Sequence, residues 1–240
     1  MVASQQRTRY LQLPFLFDIE RLNSELALAQ SFTWIDHFNT NCYEKRWTCL
    51  PLRSVDGCTD HILSLSNENF LDTDFLKQCP YFQEILNQFE CEKTSVRLMS
   101  LEAGGIIKPH RDKGTSFEDG LARLHIPILT NAAVEFVIDG ETIHFARGHT
   151  WYLNAACEHA VYNRSSLPRI HLMLDCIAND WLHEVFYKAG FVPNNPPKYN
   201  DPSINDNNVL EIIEQLRSLG NLESLKFADN LRSIYDKHHA

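Results

Sequence analysis

The stretch Val134–Phe145, VEFVIDGETIHF, sets two alternating runs of apolar and polar residues on either side of Asp139-Gly140. A two-residue Asp-Gly connection suits a type I′ turn, which takes positive φ at both central positions and matches the twist of antiparallel strands. The stretch therefore predicts a β-hairpin. Short alternating runs surround it: TSVRLMSLEAGG (94–105), GIIKPH (105–110), LARLHIPIL (121–129), GHTWYLNAACEHAVYN (148–163) and PRIHLMLDCI (168–177). So many short strands between residues 94 and 178, with little helix, read as an antiparallel sandwich or barrel.

The flanks have another texture. Asp18 is placed to cap a helix reaching about residue 30, with Ile19, Leu22, Leu26 and Ala29 on one face. CYEKRWTCLPLRSVDG (42–57) suggests one or two strands, and residues 73–89 a helical stretch whose later part opens at Pro80. Asn179 or Asp180 caps a helix ended by Gly190, and a Pro/Asn/Asp linker (192–208) leads to an amphipathic helix at 209–219 and a polar, charged tail. The expected division is an N-terminal helix/strand part (1–92) packing on the core, the strand-rich core (93–178) and a helical extension (179–240). The 209–219 helix is assigned to packing on its own domain, with a dimer contact as the alternative.

With 22 Lys and Arg against 31 Asp and Glu and no basic run, the chain offers no surface suited to nucleic acid or an anionic membrane. Near the N-terminus the apolar stretch is short and interrupted by Pro14, which indicates neither a signal peptide nor a membrane span. The seven cysteines are scattered and never spaced C-x-x-C, so they are read as free thiols in a reducing, cytoplasmic setting.

KPHRDKG (108–114) places His110 and Asp112 one residue apart at the end of a strand, and His159 lies near the end of the strand-rich region. Two imidazoles and one carboxylate on one face suit a nonheme ferrous site with open positions. Arg169, ten residues beyond His159, has no task in the metal's own coordination. Its planar fork would pair with the buried distal carboxylate of a 2-oxo-acid cosubstrate. Against this stand the ordinary roles: His37, His61, His144, His149, His183, His238 and His239 are read as surface or hydrogen-bonded residues, Asp119 and Asp175 as turn or ladder-end residues, and Trp151 and Tyr152 as core.

Five stretches, GGIIKPHRD, RLHIPILTN, GHTWYLN, EHAVYN and RIHLMLDC, occur in the order seen in the aspartyl/asparaginyl β-hydroxylase family of iron(II)- and 2-oxoglutarate-dependent oxygenases, and residues 96–177 resemble that family. The family includes free-standing bacterial amino-acid hydroxylases, whose type this chain resembles more closely than that of the membrane-anchored animal members, since Asp112 stands where those have glycine. The resemblance implies a mainly β fold with flanking helices around a double-stranded β-helix (jelly-roll, cupin-like) core. It implies that His110, Asp112 and His159 bind Fe(II), that Arg169 grips 2-oxoglutarate, and that Arg123 and His125 bind carboxylates of cosubstrate or substrate. The implied reaction consumes O2 and 2-oxoglutarate, releases succinate and CO2 and hydroxylates a C–H bond.

The expected substrate is an amino acid or small derivative, free or carrier-tethered, with Arg53, Arg97, Trp47 and His171 as candidate substrate residues. The alternatives are a peptide or protein substrate, a divalent-metal hydrolase and a noncatalytic ligand-binding barrel.

Overall fold

A computed structural model describes residues 8–63, 69–193, 198–201 and 203–239. They form two compact units, Thr8–Val192 and the segment beginning at Pro193.

The larger unit opens with β1 (Tyr10–Leu16), α1 (Ile19–Leu28), β2 (Ile35–Asp36), β3 (Tyr43–Glu44), β4 (Trp47–Ser54), β5 (Leu71–Asp72), α2 (Asp74–Lys77) and α3 (Pro80–Asn87). Asp18 caps α1 as its position predicts, accepting from the backbone N–H groups of Glu20 and Arg21. Glu25 of α1 accepts from the N–H groups of Tyr81 and Phe82, so a buried carboxylate satisfies the start of α3 where Pro80 has no N–H to offer. The helical stretch expected at 73–89 is therefore two helices, broken before Pro80.

Then follow β6 (Lys93–Leu101), β7 (Ile106–His110), β8 (Leu121–Leu129), β9 (Val134–Ile138), β10 (Glu141–Ile143), β11 (His149–Leu153), β12 (His159–Asn163), β13 (Arg169–Ile177) and α4 (Asp180–Lys188). The larger sheet runs β1-β11-β8-β13-β6-β4-β2 with β5 on β4, and the smaller β10-β9-β12-β7-β3. Strands β6 to β13 thus alternate between two antiparallel sheets in pairs, which is the double-stranded β-helix. The hairpin is where the sequence puts it: Asp139 and Gly140 both have positive φ, 45° and 82°, and Ile138 pairs with Glu141. The N-terminal part does more than pack on this core, since β1, β4 and β2 extend its larger sheet and cover its edges. In the YLQLPFL run of β1, Leu11, Leu13 and Phe15 alternate with exposed Gln12 and Pro14, a strand pattern that the proline interrupts.

Proline leaves its signature in the ladders. Pro51 of β4 and Pro127 of β8 lie beside register shifts, as residues without an N–H must. A third shift matters more. Between His159 and Val161 on β12, the facing β7 carries one residue too many, and the surplus falls at Lys108 and Pro109. This bulge brings His110 directly opposite His159.

The main core lies between the larger sheet and the helices, with Leu22, Phe82, Leu172 and Phe186 fully buried. A second cluster, including Phe136, Phe145 and Val161, fills the barrel between the sheets. The smaller unit contains α5 (Val209–Leu219), ended by Gly220 in the left-handed region, and α6 (Leu222–His239). The tail expected to be polar is thus an 18-residue helix. Its Ala228 and Leu231 recur at helical spacing and pack with Val209 and Ile213. Tyr199 and Ile204, from the stretch expected to be linker, join the same cluster. No helix among the described residues is long and apolar enough to cross a membrane.

Candidate active site

One cavity of about 280 Å³ opens into the barrel and gathers most of the residues singled out by sequence: His110, Asp112, Arg123, His125, His159, Arg169, Arg97 and Trp47. Apolar Met99, Ile107, Leu153, Val161 and Met173 complete much of the wall.

His110, Asp112 and His159 each offer a ligand atom within 4.8 Å of the others. The imidazole planes are held from behind. Nδ1 of His110 lies 2.8 Å from the Lys108 carbonyl, and Nδ1 of His159 lies 3.0 Å from the Cys157 carbonyl. A carbonyl only accepts, so each Nδ1 carries a proton, which leaves Nε2 as the nitrogen available to a metal. Burial, and then the neighbouring His110, pushes the His159 imidazole down to about 4, so it stays neutral at physiological pH. Oδ1 of Asp112 lies 3.7 Å from Nε2 of His110, while Oδ2 accepts from Arg123. Two imidazole nitrogens and one carboxylate oxygen this close together therefore fit a divalent ion.

The three arginines of the cavity differ in what already occupies them. Arg123 donates to both oxygens of Asp175 and to Asp112. Burial would lower its pKa, but Asp175 and then Asp112 outweigh that and raise it. Arg97 donates to Asp175 and to the Ile62 carbonyl. Arg169 is 3% exposed, with its Nε unpartnered and its guanidinium over the Phe136 ring. Burial, with no compensating carboxylate among the described residues, pushes its pKa down to about 10. A buried cation in this state would be stabilised by an anion entering the cavity. His125 is similar: buried, neutral, with both ring nitrogens unpartnered, its pKa lowered first by burial and then by Arg169.

Other residues fall elsewhere. Arg53 does not line the cavity; it is taken by Asp72 and the Phe70 carbonyl, because β4 and β5 pair there. His171 is fully buried against Phe136 on the face it shares with Arg169, one layer behind the cavity wall. Asp175 is no ladder-end residue but a fully buried carboxylate inside β13, with its pKa held down, against its burial, chiefly by Arg123. His37, read as an ordinary surface histidine, lines the cavity and stacks on Trp47 with ring centroids 3.7 Å apart. Burial, and then Arg97, lowers its pKa to about 4. Phe38, Asn39 and Cys42 of the same loop also line it. That loop carries no periodicity, so nothing in sequence ties it to a site seventy residues downstream.

A profile of the aspartyl/asparaginyl beta-hydroxylase family matches residues 18–179. The chain belongs to that family. It is 26% identical over 162 residues to an L-proline cis-4-hydroxylase of Rhizobium meliloti (strain 1021), across 66% of this chain and 57% of that protein. It is 25% identical over 164 residues to L-proline cis-3-hydroxylase 1 of a Streptomyces species, across 66% and 56%. The chain thus spans a little over half the length of these curated relatives. The crystal structure of an oxidoreductase of the 2OG-Fe(II) oxygenase family from Burkholderia pseudomallei superposes on 72% of this chain and 88% of its own with a TM-score of 0.49 and 14% identity, a likeness too slight to carry weight.

Proposed function

We propose that this protein is an iron(II)- and 2-oxoglutarate-dependent dioxygenase that hydroxylates a C–H bond of an amino acid or a small amino-acid derivative. The observation that carries the reading is the pairing, in one cavity, of a His-Asp-His donor set with a buried arginine that no carboxylate among the described residues neutralises. Family membership and the hydroxylase names of the two bacterial relatives support it.

In this reading His110, Asp112 and His159 hold ferrous iron, which together with 2-oxoglutarate and O2 supplies the oxidising power for hydroxylation and releases succinate and CO2. Arg169 pairs with the distal carboxylate of the cosubstrate, and a neutral His125 beside it offers an N–H donor. Phe136, Val161 and Met173 keep water from the reacting centre. Trp47 and the stacked His37 wall the substrate side, where Arg97, already paired with Asp175, lines the cavity. A cavity of about 280 Å³ suits a small molecule better than a folded chain. The seven free cysteines support a cytoplasmic setting.

The test is anaerobic titration with Fe(II) and then 2-oxoglutarate, following the visible charge-transfer band of the chelate. A substrate screen for succinate formation follows, over free, acylated and carrier-tethered amino acids and short peptides. A band that needs both additions, with turnover on an amino acid, supports the reading. Tight metal binding without a band returns the site to metal-assisted hydrolysis or ligand binding, and turnover confined to proteins or long peptides overturns the substrate class.

A further inference from the structure

We propose that Arg123 and Asp175 are positioning residues for Asp112, forming with Arg97 a fixed rail that turns one carboxylate oxygen toward the two histidines and withholds the other. The proposal rests on the reading of Asp112 as a metal ligand.

Asp112 follows β7 and its side chain is 35% exposed, so its own surroundings leave it rotational freedom. One contact removes that freedom: NH1 of Arg123 donates to Oδ2 at 2.5 Å, leaving Oδ1 on the side of His110 Nε2. Arg123 is itself immobilised. Its Nε and NH2 donate to the two oxygens of Asp175 at 2.7 and 3.0 Å, a fork geometry that fixes the guanidinium plane. Asp175 cannot move either, because it faces Arg123 directly across the β8–β13 ladder, is fully buried, and also accepts from Arg97 NH2 at 3.0 Å. The far end is tied to the chain where Arg97 NH1 donates to the Ile62 carbonyl. Asp112 is thereby aimed by the sheet, through an aspartate that does not line the cavity.

A stability role alone does not explain this arrangement, since buried ion pairs are commonly no more stabilising than apolar residues of the same shape. Holding a ligand is a task that apolar residues cannot perform, and ligand-supporting partners of this kind typically govern metal affinity about 10- to 100-fold.

The test measures Mn(II) affinity of the protein by the EPR signal of free Mn(II), which needs no turnover, for wild type, Asp112→Ala, Arg123→Lys and Asp175→Asn, with circular dichroism of each metal-free variant as the folding control. Lysine keeps the charge but cannot bridge both carboxylates, so Arg123→Lys isolates positioning from electrostatics. The expected result is a folded Arg123→Lys with Mn(II) affinity weakened about 10- to 100-fold, and Asp175→Asn weakened at least as much. Arg123→Lys with wild-type affinity overturns the proposal, including the case where only the KM for a carboxylate substrate rises, which would make Arg123 a ligand-binding residue instead. If Asp175→Asn fails to fold, Arg123→Lys decides. Should Asp112→Ala bind Mn(II) like wild type, the metal-site reading itself falls; its loss in that variant, with Arg123→Lys unaffected, sinks only the rail.

Discussion

Replacing Arg169 by methionine should move stability and cosubstrate affinity in opposite directions. The folded protein holds Arg169 3% exposed, with no carboxylate among the described residues to balance it and its pKa lowered from 12.5 to about 10 by burial. That displacement corresponds to roughly 3 kcal/mol of unfavourable burial of the charge. Methionine fills a similar volume without charge, at the loss of the cation–π contact with Phe136, about 0.5–1 kcal/mol or somewhat more when desolvated. The metal-free variant should thus gain about 1–2 kcal/mol, or about 2–8 °C in Tm for a unit of this size. Its affinity for 2-oxoglutarate should collapse, because truncating one member of a buried, hydrogen-bonded charge pair costs about 2–5 kcal/mol, or roughly 30-fold to several-thousand-fold in Kd. Differential scanning fluorimetry of the metal-free protein and calorimetric titration of 2-oxoglutarate onto the Mn(II)-loaded protein give the two numbers. An Arg169→Met variant that is less stable and binds 2-oxoglutarate normally would make Arg169 a structural cation and refute the reasoning.

Three further outcomes are expected. Without metal, stability should fall as pH drops from about 6.5 toward about 4, because the unfolded chain takes up protons that neutral His37 and His159 refuse until about 4. Each contributes about 2 kcal/mol of that loss by pH 5, urea midpoints at pH 7 and 5 measure it, and His37→Phe should remove its share. Trp47→Ala opens the wall that stacks on His37 and should raise substrate KM while leaving Mn(II) affinity unchanged; an equal loss of both would place Trp47 in the metal site's support. Gly148→Ala should destabilise by about 1–3 kcal/mol from backbone strain alone, since φ is 73° and the new Cβ would lie 2.7 Å from the Phe17 carbonyl oxygen; a Tm equal to wild type would contradict this.

What sequence makes legible is local. Period-2 alternation and the Asp139-Gly140 turn identify β6 to β13 because a strand's two faces are written into adjacent residues. His110, Asp112 and His159 are readable for a different reason: a ferrous site restricts the residue types, and few positions in the strand-rich region satisfy it. Elements whose signal is diluted escape. In α6 the buried Ala228 and Leu231 are embedded among charged residues, and β1 carries a proline within seven residues. His37 reaches the cavity from a loop, where no period exists to follow. The arginines show the deeper limit. Arg97, Arg123 and Arg169 are alike in sequence, each on an alternating strand and each a fair candidate to bind a carboxylate. Their difference lies in which internal carboxylates reach them first, and that depends on strand register: the β8–β13 ladder sets Asp175 against Arg123, β6 brings Arg97 to the same carboxylate, and Arg169, paired with Leu101 at the far end of β13, meets none among the described residues. A receptor for an external anion is the cation left over when the internal pairings are complete, and only the folded sheet determines those pairings.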